Sequence, residues 1–357
     1  MPSAPTIEGI GRVLPGESWL TIMTFGHAGN GSGHVNIRFD PAHEAKAKAE
    51  APTPQPRQAP ALNPREAPMR NILATIAASL LLLCATSVQA QEPAPLRVMF
   101  IGNSLTYVNN LPRLVSALAA SQPGKRGITT SSWVAPDGSL DARWDDGHAA
   151  AALAAGHWDA VVLQERSGTL ICMAAPAIKR PAACRVSESA HHNFAKLAAA
   201  HGTRVLLLST WVKPGVRQVR RRGPDPQSRL DAATQSLAER LRADGAQVDV
   251  VPTGRTLHDW AASRDDPAVV FPDGGHPGVT ASLVMAAQLY RSITGEAPQA
   301  HDVIVTFPML PSNAMVKPNV PLEEQAQIAG DGSVVVIKAE AVEPYLKVAA
   351  EAPSASK

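Results

Sequence analysis

From Leu96 onward the chain alternates short apolar runs rich in β-branched residues with longer Ala/Leu stretches of helical period, and this rhythm limits the possible folds more than any other feature. A short apolar run bounded by polar, Gly or Pro positions suits a strand buried on both faces. A stretch with apolar residues three and four apart suits a helix that covers it. Repeated in this order they form βαβ units, whose strands are parallel and whose helices lie on the sheet faces. Strands are expected at 97–102, 128–134, 159–163, 203–209 and 247–251, with helices at 111–121, 140–155, 187–201, 226–243, 255–263 and 279–293. The Asn109-Asn110 pair reads as the cap of the helix that follows it. The expected class is α/β, a three-layer α/β/α domain around a mostly parallel five-stranded sheet.

Past this region the rhythm fades. Residues 299–357 open on a Pro-rich connector and hold one strand pattern, 333–338, so they read as a C-terminal extension with a β segment. Upstream, Met69 to Ala90 has a short basic start, an apolar run and the small-residue end Val88-Gln89-Ala90. These are the three parts of a secretory signal peptide, and cleavage would leave Gln91 first. The apolar run is at the short end of the roughly 17–25 residues a spanning helix needs, which weighs against the rival reading of a cytoplasmic tail and a permanent anchor. Residues 1–68, rich in Pro, Ala, Gly and charge without sustained period, are expected to be disordered, with translation starting at Met69. The expected organisation is thus 1–68 disordered, 69–90 signal peptide, 91–298 the α/β domain and 299–357 the extension. The mature protein is expected to be periplasmic or secreted, without stable membrane insertion after signal cleavage.

With 33 Lys and Arg against 31 Asp and Glu, the net charge of +2 gives no field for a polyanion, so no nucleic-acid partner is expected. Of three cysteines, Cys84 would leave with the signal. In an oxidising compartment Cys172 and Cys184 could close a small loop as a disulfide; the alternative is two unpaired thiols in a loop. His191-His192 has no carboxylate or Cys at ligand spacing and reads as a solvated helix start, not a metal site. The cluster Arg217, Arg220, Arg221 and Arg222 reads as solvated charge in a Pro/Gly-rich loop. Trp144, Trp158 and Trp211 could be core or could line a sugar-binding cleft.

In a parallel α/β sheet, functional groups gather at the carboxyl ends of the strands. Ser104 follows the first expected strand, Asp137-Gly138 the second and Gln164-Glu165 the third, while Asp273-Gly274-Gly275-His276 can reach the same edge. A serine hydroxyl needs a neighbouring base, usually His, held in one tautomer by a carboxylate. Ser104, His276 and Asp273 can take those roles, and Gly274-Gly275 permits the tight turn that an Asp three residues before its His requires.

Ile101-Gly102-Asn103-Ser104-Leu105-Thr106, Gly138, the Trp158-to-Glu165 stretch and Asp273-x-x-His276 resemble, in order and spacing, the conserved blocks of the SGNH/GDSL hydrolase superfamily, over about residues 95–295. The resemblance implies a flavodoxin-like sheet and a serine esterase working through an acyl-enzyme on Ser104. It also implies oxyanion donors from the N–H of Ser104, the N–H of Gly138 and a third-block side-chain amide. Two departures stand out: Gln164 occupies the third-block position usually held by Asn, and Asn103 stands where the first block usually has Asp. Such chemistry requires no metal and no organic cofactor. The expected substrate is a small-molecule or carbohydrate ester, most simply a small acyl group removed from a sugar. The alternatives are a lipase-like esterase or thioesterase, and a catalytically inactive carbohydrate-binding or envelope protein of the same fold.

Overall fold

The computed structural model describes residues 20–26, 33–39, 93–212 and 225–351. The expected signal peptide and the Arg217–Arg222 cluster lie outside the described residues. Met1–Gln91 and Glu92–Lys357 form two separate units. In the first, β1 (Leu20–Gly26) and β2 (Gly33–Phe39) pair antiparallel, Leu20 opposite Phe39; the remainder of 1–68 lies outside the described residues.

The second unit is a three-layer α/β/α domain. Its strands are β3 (Leu96–Gly102), β4 (Ile128–Val134), β5 (Ala160–Leu163), β6 (Arg204–Leu208) and β7 (Val248–Val251). They are all parallel, in the order β4-β3-β5-β6-β7. This is the flavodoxin-like order, and the strand order reverses between β3 and β5, the place where a crevice opens at the carboxyl ends of an open α/β sheet.

Alternation along each strand feeds two cores. Val98, Phe100, Val162, Leu206 and Leu208 face α2 (Leu111–Ala120), α7 (Thr253–Ala262) and α8 (Val279–Thr294). Met99, Ile101, Val161, Leu163, Val205 and Leu207 face α4 (His148–Ala155), α5 (Ala182–Ala200) and α6 (Pro226–Ala243). The short α1 (Ser104–Tyr107) and α3 (Leu140–Asp145) follow β3 and β4 at the crevice.

Several expectations are corrected. The helix read at 140–155 is two, because Gly147 adopts φ 74° between α3 and α4. Asn109 and Asn110 both take left-handed backbone (φ 55° and 53°), and the Asn110 side chain does not cap α2. Residues beyond 299 do more than append a strand. β8 (Val303–Val305) pairs with β9 (Val335–Ile337), and α9 (Ala339–Ala350) follows. Val303, Val305, Val342 and Ala349 join the core of the main domain. Glu323 accepts from the Ser132 N–H at 2.8 Å, the Ser132 Oγ at 2.7 Å and the Thr130 Oγ1 at 3.1 Å, which covers the outer edge of β4 that would otherwise offer unpaired groups.

Cys172 and Cys184 are joined as a disulfide across 12 residues, tying the segment after β5 to the first turn of α5. Closing a loop of that size stabilises a fold by about 3 kcal/mol, chiefly by restricting the unfolded chain. The Cys172→Ser/Cys184→Ser double variant is expected to lose about that much in urea unfolding, and reductant should change the parent but not the variant.

Candidate active site

β3 ends at Gly102, where an added Cβ would stand 2.6 Å from Gln164 Oε1 and 2.7 Å from Thr106 Oγ1; only glycine permits this approach. Asn103 is extended (φ −139°, ψ −152°) and caps α1, its Oδ1 accepting from the Leu105 N–H at 3.1 Å. Ser104 is therefore the first helical residue, and its N–H is among those a helix start leaves without an intrahelical acceptor.

The loop after α7 brings the base to this serine. Ser104 Oγ lies 2.9 Å from His276 Nε2, and His276 Nδ1 lies 2.7 Å from Asp273 Oδ2. A carboxylate only accepts, so Nδ1 carries the proton and Nε2 is free to take one from Ser104. Asp273 Oδ1 accepts from the backbone N–H groups of Gly275 (2.9 Å) and His276 (2.7 Å). Partial burial pushes the Asp273 carboxyl up, but the His276 N–H, the His276 ring and the Gly275 N–H together bring it below the usual Asp value. The stabilisation that this depressed carboxyl gives the loop is thus complete above the ordinary carboxylate range and is lost only as pH falls through its lowered value.

The oxyanion donors implied by the resemblance fare unequally. Gly138 is held beside the nucleophile because its carbonyl accepts from Asn103 Nδ2 at 2.8 Å, after Asp137 at φ 49°. Its own N–H makes a long 3.2 Å bond back to Ala135 O. Gln164 is fully buried. Its Oε1 accepts from the Asn103 N–H (3.0 Å) and Thr106 Oγ1 (2.8 Å), and its Nε2 donates to Glu165 O (2.5 Å). The amide cannot be turned over, because that would set Nε2 against the Asn103 N–H. Gln164 therefore holds the nucleophile turn instead of facing substrate, a correction to its expected place as third donor. Asn103, which sequence reasoning gave no role, joins the nucleophile turn to the Gly138 loop; the signal was its departure from Asp, since Asn alone can donate to a carbonyl here.

Other residues resolve as follows. Glu165 is buried, accepting from Ser187 Oγ at 2.6 Å and the Arg166 N–H at 2.8 Å. His191 is buried beside it, not solvated, with Nδ1 2.7 Å from Ser187 O; burial lowers its pKa. His192 pairs with Asp244 at 2.6 Å. Trp158 lies under Arg97 and Trp211 is core, while Trp144, edge-on to Phe194, lines a surface groove.

No family model and no curated protein matches the chain. Among solved structures it resembles a candidate SGNH hydrolase from Slackia heliotrinireducens, with 18% identity over 57% of this chain and 100% of that one and a TM-score of 0.41. It also resembles the acetylxylan esterase Axe2 from Geobacillus stearothermophilus, with 16% identity over 57% and 97% of the chains and a TM-score of 0.42. A DUF4886 family protein from Bacteroides uniformis matches with 15% identity over 57% and 84%, TM-score 0.41. The solved structures that this chain is similar to thus include an SGNH-type hydrolase, an acetylxylan esterase and a DUF4886 family protein, all at low identity.

Proposed function

We propose that this chain is a serine esterase that forms an acyl-enzyme on Ser104 and removes a small acyl group, acetyl first among them, from a carbohydrate. The observation that carries the reading is the unbroken relay from Ser104 Oγ through His276 to Asp273, at 2.9 and 2.7 Å. Ser104 Oγ attacks the ester carbonyl as its proton passes to His276 Nε2. The tetrahedral oxyanion is met by the Ser104 N–H and the Gly138 loop. His276 then gives the proton to the leaving alcohol. Water, deprotonated by the same nitrogen, attacks the acyl-enzyme and frees the acid and Ser104.

Two features support the finer statement. A groove of about 260 Å³ runs between α3 and α5, where Trp144, Asp141, Asp145, Arg185 and Asn193 stand beside apolar lining from Ala182, Val186 and Ala190. The Trp144 ring offers a stacking face, and Asp141, Asp145, Arg185 and Asn193 offer polar partners of the kind a sugar uses; α3 begins two residues after Gly138. The Cys172–Cys184 bond suits an oxidising compartment, in keeping with an exported protein.

The test uses the purified full chain with a fluorophosphonate, p-nitrophenyl esters of increasing length and an acetylated oligosaccharide. One-to-one labelling at Ser104, with acetyl esters turned over fastest, is the expected result. Preference for long chains would move the protein to the lipase-like reading. No labelling and no turnover would leave the non-catalytic carbohydrate-binding reading.

A further inference from the structure

The base of the relay sits in a surface loop. Asp273 and Gly274 are exposed and the His276 side chain is 27% exposed. Hydrogen bonds inside this loop, Gly274 N–H to Phe271 O and Gly278 N–H to Val270 O, both 2.9 Å, give it shape. They do not fasten it to the crevice.

Two buried side chains from elsewhere do. Trp211, 1% exposed and placed just after β6, donates its Nε1–H to Gly275 O at 2.9 Å. Asn109, 8% exposed and placed just after the nucleophile helix, donates Nδ2–H to Pro277 O at 2.8 Å. The carbonyls immediately before and after His276 are thus each pinned by a different wall of the crevice. The Asn109 tie joins the same two chain segments as the Ser104–His276 bond, across 168 residues, and so runs parallel to it. Asn109 reaches Pro277 from left-handed backbone at φ 55°, and its own N–H is held by Leu310 O at 2.8 Å. Trp211 is set by packing on Phe271, ring centres 5.2 Å apart, and by the Ser167 hydroxyl, which donates to the Trp211 carbonyl.

We infer that Asn109 and Trp211 are paired positioning residues that fix His276 against Ser104. This rests on the esterase reading above. Neither touches the reacting atoms; each acts by holding the backbone that carries the imidazole. A displacement of about 1 Å at a reacting centre can cost a hundredfold in rate.

Three full-length variants test it. Trp211→Phe keeps a ring against Phe271 and loses the donor. Asn109→Gly keeps the left-handed backbone and loses the side chain. Ser282→Ala removes the other acceptor of Asn109, Ser282 Oγ at 3.0 Å, and leaves the Pro277 tie in place. The first two are expected to lower kcat on p-nitrophenyl acetate about ten- to a hundredfold with KM little changed. They should also shift or broaden the downfield proton resonance of the His276–Asp273 hydrogen bond. Ser282→Ala should do neither. Retained kcat in both tie variants, or a loss in all three that follows thermal stability, would overturn the inference. A parent that neither turns over ester nor takes the phosphonate sinks the esterase reading instead, and the proton resonance still reports whether the two ties place His276.

Discussion

Ser104→Ala and His276→Ala are each expected to lower kcat for p-nitrophenyl acetate by about 10⁴-fold or more, and the double variant by no more than the worse single one, because nucleophile and base act as one unit. Near-equal effects are the signature, since a serine with no base and a base with no serine both leave only the oxyanion site. Asp273→Asn should fall almost as far, by about 10⁴-fold, for a different reason. Its Oδ1 could still accept from the Gly275 and His276 N–H groups, so the turn would survive. The new amide would face His276 Nδ1 with donors, forcing the proton to Nε2 where Ser104 needs an acceptor. Steady-state rates with circular dichroism on the same samples check this. A folded Ser104→Ala variant with parental activity would remove Ser104 from the mechanism.

The relay was legible in the sequence because its parts are local. Asp273 and His276 sit in one short loop, and Ser104 lies two residues past the end of the run 97–102, which reads as a buried strand. The parallel sheet and its covering helices followed from alternating elements, and β4 and α6 fall on their expected residues. What escaped the sequence depends on distant partners or on one backbone angle. α9 carries Pro344 inside it, which lacks an N–H and argues locally against a helix, yet Val342 and Ala349 gain burial enough to keep it. α5 starts at Ala182, five residues before its expected start, and the disulfide anchors its first turn. The orientation of Gln164 is decided by a backbone N–H 61 residues earlier, and the ties to Gly275 and Pro277 come from 64 and 168 residues away. No local pattern encodes such partners.

Gln164→Ala separates two roles that the sequence could not. As a substrate-facing donor, its loss would lower kcat roughly a hundred- to a thousandfold and leave folding intact. In the structure its loss would instead leave the Asn103 N–H, the Thr106 hydroxyl and the Glu165 carbonyl unpaired around a buried void. Unpaired buried groups cost about 1–3 kcal/mol each, and a void adds to that. The expected result is a destabilisation of about 3 kcal/mol or more, seen as a fall in Tm of roughly 6–12 °C, together with a large loss of kcat as the turn carrying Ser104 loosens. Gln164→Glu sharpens the distinction. It keeps acceptors for Asn103 and Thr106 but turns an oxygen toward Glu165 O, so at neutral pH it sets a buried charge beside a carbonyl. Raising acidity should then restore stability to Gln164→Glu more than to Gln164→Ala, because a protonated carboxyl can donate to Glu165 O as the amide does. A drop in kcat with unchanged Tm in Gln164→Ala would return Gln164 to the oxyanion site.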